Sequence, residues 1–183
     1  MKQILFSLIA ISCFAVGVQA QTYKTRDGKI NFNPNKNQKN AEYAAVSKEA
    51  TAVLKVETAE VALLVPMKTF HFTNALLEEH FNENYLHTSK IPNATYKGKL
   101  VGFDKSMLAK DGVYKLSSEG QVSLHGVTKS FKSPATLTVK GKSATFNCTF
   151  PIAAADYKIE IPEMVKSKLA EQTPIEANIT FKL

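Results

Sequence analysis

From residue 30 onward the chain alternates apolar and polar positions in run after run. That period puts one face of a β-strand indoors and leaves the other in water. Ile30 and Phe32 flank Asn31, and Leu54 and Val56 flank Lys55. Val61, Leu63 and Val65 share a face, while Ala62 and Leu64 make that strand apolar on both sides. Phe70 and Phe72 alternate with His71, and Ala94 and Tyr96 lead into Leu100. Tyr114 and Leu116 start another strand, and Val122 and Leu124 end the next. Phe131, Ala135, Leu137 and Val139 then oppose Lys132, Thr136, Thr138 and Lys140. Phe146, Cys148 and Phe150 oppose Thr145, Asn147 and Thr149, and Ile175, Ala177, Ile179, Phe181 and Leu183 form the last apolar face.

Turn signals punctuate these runs: Asp27-Gly28, Asn33-Pro34-Asn35, Asp111-Gly112, Glu119-Gly120, His125-Gly126 and Lys140-Gly141-Lys142. One-sided strands at this spacing predict an antiparallel sandwich or barrel. Helix is scarce. Asn74 to His87 fits one, with Asn74 as cap, Glu78 and Glu79 near the positive end, and Leu77, Phe81 and Tyr85 as an apolar stripe. Pro92 lies just beyond it, and a second short helix is predicted over Pro162 to Leu169.

The first twenty residues follow other rules. Lys2 precedes an apolar run from Ile4 to Val16, and Val18-Gln19-Ala20 fits a small-x-small cleavage site. The expectation is a secretory signal peptide over residues 1–20. A lipoprotein-like box at Ala10-Ile11-Ser12-Cys13, with a lipid anchor at Cys13, is the rival reading. Cleavage after Ala20 predicts a periplasmic or secreted single domain over 21–183. Only Cys148 would remain, so stability rests on a core and not on a disulfide. The formal charge of +7 falls by one with Lys2, and the lysines are scattered. With a single Arg, no basic run and no Trp, nucleic acid is a poor partner. No later segment is apolar for long enough to insert stably in a membrane as a helix.

The stretch Glu78 to Thr95 is the one place that invites chemistry. His80 and His87 are seven residues apart, about 10 Å along a helix, too far for one ion. Glu78, Glu79 and Glu83 fall off the apolar stripe, toward water. No serine elbow, paired-histidine metal motif or phosphate-cradling glycine loop occurs. Cys148 sits between Phe146 and Phe150 on the apolar face, where a core thiol is the simpler reading. The chain is therefore expected not to be an enzyme, with no catalytic residue, metal or cofactor.

The run from Phe72 to Leu86 followed by Lys90-Ile91-Pro92-Asn93-Ala94-Thr95-Tyr96-Lys97-Gly98 resembles the central motif of YceI-like proteins. Gly112-Val113-Tyr114-Lys115-Leu116, followed by Gly120 to Lys129, resembles that family's second signature, a strand ending in Gly-Val-Thr-Lys. The resemblance spans roughly 22–183. Ile91 stands where an aromatic is usual, and Ala153 to Ile159 replaces an Asn-Arg-Asp-Phe-Gly-like segment. It implies an all-β fold, an extended antiparallel eight-stranded lipocalin-like barrel with one or two short helices. It also implies a non-catalytic binding protein holding an extended apolar lipid, isoprenoid-like, of polyprenyl or quinone type. A filled barrel serving as an interaction module, or a small lipid-modifying enzyme, are the alternatives. The expected cavity residues are Phe70, Phe72, Leu77, Phe81, Tyr85, Tyr96, Tyr114, Leu124, Phe131, Phe146 and Phe150. Lys97, Lys99 and Lys129 are candidates for an anionic head group. The oligomeric state, a homodimer included, is left open.

Overall fold

The computed structural model describes residues 21–183. The expected leader, and Cys13 with it, lie outside the described residues. Eight long strands form the wall: β1 (Thr22–Phe32), β2 (Ala45–Lys55), β3 (Glu60–Pro66), β5 (Asn93–Val101), β6 (Gly112–Leu124), β7 (Val127–Lys140), β8 (Ser143–Ile152) and β9 (Thr173–Lys182). A two-residue strand, β4 (His71–Phe72), hangs on the end of β2 beside Ala45 and Val46. The order β1-β9-β8-β7-β6-β5-β3-β2 is antiparallel throughout, and the β1–β2 pairing closes it into an eight-stranded barrel. Closure leaves no long edge unpaired.

Three sequence readings need correction, each for a physical reason. Asp27-Gly28 is not a turn but part of β1, where the register with β2 shifts around Gly28. A Cβ there would stand 2.6 Å from Ile179 Cδ1 and 2.7 Å from the Ala50 carbonyl oxygen, so the walls meet too closely for a side chain. Glu119-Gly120 is not a turn either: β6 runs unbroken through it, with Gly120 opposite Gly98. The alternation of Phe70 and Phe72 with His71 gives no full strand, only the two residues of β4. Pro66 ends β3, and Met67–Thr69 form a 3₁₀ turn in which Thr69 Oγ1 donates to the Pro66 carbonyl at 2.7 Å. The predicted hairpins do form at His125-Gly126 and Gly141, where backbones at φ +49°, +75° and +57° make tight turns.

The interior is graded along the barrel axis. One end is packed solid by Leu54, Leu100, Leu116, Leu137, Ile179 and Phe181, all buried. The other end is crossed by α1 (Ala75–His80) and by the segment between β8 and β9, which contains a 3₁₀ turn (Ala154–Tyr157) and α2 (Glu163–Lys166). Asn74 caps α1, its Oδ1 accepting from Leu76 N at 2.9 Å. The helix widens into a π turn over Phe81–Tyr85 and stops two residues short of the predicted end, where His87 turns left-handed at φ +46°. α2 is shorter than predicted, with Pro162 as its N-cap.

Candidate functional site: a blind cavity in the barrel

Above the packed end the barrel is hollow. A cavity of about 1180 Å³ runs from its middle to the end crossed by α1 and α2. That exceeds the ~300–1,000 Å³ of ordinary small-ligand sites. Its inner limit can be read strand by strand: Ile30, Leu63, Ser118, Phe146 and Ala177 line it, whereas Val61, Leu116, Ala144 and Ile179, two residues deeper on their strands, do not.

Two aromatic groups form opposite walls. On one side Phe81 lies against Phe32, Phe70 and Phe72, with ring centroids 5.9, 5.7 and 5.0 Å away. Such pairs contribute about 0.5–1.5 kcal/mol each beyond area burial. They fix α1 to the rim and turn its Leu77, Phe81 and Tyr85 stripe into the cavity. On the other side Phe131 makes edge contacts with Tyr96 at 5.3 Å and Phe150 at 4.7 Å. Leu124 and Phe146 complete the set of anticipated residues that line the space. Tyr114 stands apart. Its hydroxyl donates to the Lys110 carbonyl at 2.9 Å at the packed end, outside the cavity.

The lining includes residues that the alternation did not single out. Ala153 to Ala155, Ile159, Ile161, Val165 and Leu169 roof it from the β8–β9 segment. That roof is tied down at several points. Lys129 Nζ bonds Asp156 at 2.8 Å, and a His125 Nδ1 contact to the Tyr157 carbonyl measures 2.9 Å. Ala170 N donates to the Pro34 carbonyl at 2.8 Å. α1 is tied back in the same manner: Glu78 is only half-exposed, its carboxylate accepting from Phe72 N at 3.0 Å and lying 3.3 Å from His71 Nδ1.

Charge is confined to the mouth. Lys158, Glu160, Lys166 and Glu171 line it there. Lys129 is occupied by Asp156, and Lys97 and Lys99 project from the outer wall, so the cationic side chains at the cavity are not the ones anticipated. Among the described residues no three His, Cys, Asp or Glu side chains converge as metal ligands. Polar groups reappear at the inner end. Tyr96 Oη and Ser118 Oγ are 2.7 Å apart, and Cys148 Sγ donates weakly to the Pro134 carbonyl at 3.6 Å. Burial pushes both the Tyr96 phenol and the Cys148 thiol up, so both stay protonated at neutral pH.

A family model described as a YceI-like domain matches residues 10–181. No curated protein matches the chain. Among solved structures, a polyisoprenoid binding domain from Saccharophagus degradans, implicated in plant cell wall breakdown, is 13% identical with a TM-score of 0.73. That match covers 90% of this chain and 99% of that one. BcnA of Burkholderia cenocepacia is 16% identical with a TM-score of 0.68, over 84% of this chain and 95% of its own. The Campylobacter jejuni YceI protein is 14% identical with a TM-score of 0.52, over 100% and 96%. At these identities the likeness is one of fold.

Proposed function

The chain belongs to the YceI-like family, and from the form of its cavity we propose that it is a non-catalytic carrier of an extended apolar lipid. An isoprenoid-like chain, polyprenyl or quinone-type, fits this reading best. The single observation that carries it is the blind cavity of about 1180 Å³, walled by aromatic and aliphatic side chains. Burial supplies most of the affinity. At about 0.8 kcal/mol per methylene, a chain of about twenty carbons gains roughly 16 kcal/mol, which leaves micromolar binding after an association cost of about 8 kcal/mol. The polyisoprenoid binding described for the Saccharophagus degradans domain points the same way. The leader expected over residues 1–20 supports a carrier that works in the periplasm or outside the cell.

An open interior argues against a filled barrel that works only through its surface. Against a lipid-modifying enzyme stands the floor chemistry: the phenol and thiol there are both held in their neutral forms by burial. Filling the cavity separates these readings. Ala177 is buried on β9 at the inner limit of the space. Ala177→Phe is expected to keep the far-ultraviolet circular dichroism of the parent and to weaken prenyl-chain binding about tenfold or more. Equal binding by parent and variant, with the fold intact, rejects the barrel interior as the site.

A further inference from the structure

The inner end of the cavity is chemically unlike its walls. Tyr96 and Ser118 both line it, and their hydroxyl oxygens lie 2.7 Å apart. Two hydroxyls bring two donor protons, and the bond between them uses one. Neither side chain makes another hydrogen bond among the described residues. A donor is therefore left at the deepest point of an otherwise apolar space. The sequence goes to some length to hold it there. A Cβ on Gly98 would collide with the Tyr96 hydroxyl, and one on Gly120 would collide with the Lys97 carbonyl and Gly98 Cα. Gly98 lets the Tyr96 ring lie along the wall and reach Ser118, and Gly120 lets the two backbones come close there. Among the described residues no lysine, arginine or histidine lines this end: Lys158, Lys166 and His80 all come from elements at the mouth. An anion driven to the floor would be desolvated with no cation beside it, which is strongly unfavourable.

We propose that the Tyr96–Ser118 pair is a hydrogen-bonding subsite for a neutral oxygen at one terminus of the lipid, a hydroxyl or a carbonyl. The lipid then lies with its oxygen innermost and its hydrocarbon running toward the mouth. This rests on the lipid-binding reading above and narrows it. Prenyl alcohols and prenylated quinones fit oxygen-first, and prenyl phosphates do not.

The test is a titration of four probes into the full protein and into a Tyr96→Phe/Ser118→Ala double variant. The probes are geranylgeraniol, a prenylated quinone, a hydrocarbon of matched length and geranylgeranyl diphosphate. Removing both hydroxyls together leaves neither unpaired, so the fold is kept. The parent is expected to prefer the oxygenated chains over the hydrocarbon by about fivefold to tenfold, and the variant to lose that preference. Loss for geranylgeraniol alone identifies a hydroxyl ligand, and loss for the quinone alone identifies a carbonyl. Equal loss for every probe, or no loss for any, overturns the subsite. So does diphosphate binding tighter than the alcohol and indifferent to the two substitutions. If the parent takes up none of the four, the lipid-binding reading itself falls and the subsite falls with it.

Discussion

Gly98 and Gly120 stand opposite each other on β5 and β6, and Tyr96 lies over the space that the missing Gly98 side chain leaves. The three nearest contacts that a Cβ on Gly120 would make, with the Lys97 carbonyl oxygen and carbon and with Gly98 Cα, are all with backbone, which has nowhere to go. Gly120→Ala is therefore expected to cost about 1–3 kcal/mol, read as a lower urea midpoint, and an unchanged midpoint would contradict this packing. The buried acids make a second prediction at the same scale. Burial raises the folded-state values of Cys148, Tyr96 and Tyr157. Such groups contribute stability that is fully present below their unfolded values, about 8.5 for the thiol and 10 for the phenols. It is lost as pH rises through the higher folded values. The urea midpoint is expected to fall on the alkaline side, and Tyr96→Phe or Cys148→Ala to flatten that fall. A slope identical in parent and variants would rule these groups out as its source. Gly120 also marks the limit of reading residues in order. Beside Glu119 it looks like a turn, because a glycine needed for close approach and one needed for a turn are the same letter. Only the pairing with Gly98 tells them apart. The alternation did bring Tyr96, Phe131 and Phe146 inward, because burial on a strand follows a period of two. Tyr114 has the same parity as Leu116 and Ser118 but sits at the packed end, and periodicity carries no information about depth along the barrel.

At the scale of elements, α1 was legible because its signals are local: a capping Asn74, and Leu77, Phe81 and Tyr85 one turn apart. Asn74→Ala removes the bond to Leu76 N and is expected to cost about 1 kcal/mol. The loss should be local. Amide exchange over residues 76–85 speeds up, bound lipid leaves faster, and the strands keep their protection. Uniform loss of protection through the barrel would mean that α1 is part of the fold's core and not a cover over the cavity. Periodicity did not show the β8–β9 segment as a roof. Its helical pieces are short, no periodic stripe marks a face, and its anchors join residues far apart in sequence, as Lys129 and Asp156 do. Exposed pairs of that kind contribute about 0.2–1 kcal/mol, so Asp156→Asn should leave stability nearly unchanged.

The whole molecule is a barrel divided by function along its axis, with a solid half that supplies stability and a hollow half with room for a guest. Strand count and one-sidedness came from the alternation, and closure into a barrel came from the family resemblance. The resemblance also implied a cavity, but that it occupies only one half of the barrel was legible in neither, because its extent depends on which residues end up level across strands with different registers. A guest bound only by the folded state must stabilise it. Saturation at a hundred times Kd is expected to add about 2.7 kcal/mol and raise Tm, and a Tm indifferent to lipid would deny specific binding to the native barrel. The most direct measurement is native mass spectrometry of the protein purified from its own source, followed by denaturing extraction of whatever it carries. The account predicts one bound lipid of defined mass, apolar along most of its length, that the Ala177→Phe variant fails to retain. A protein that arrives empty and takes up no prenyl chain or quinone on titration would contradict it.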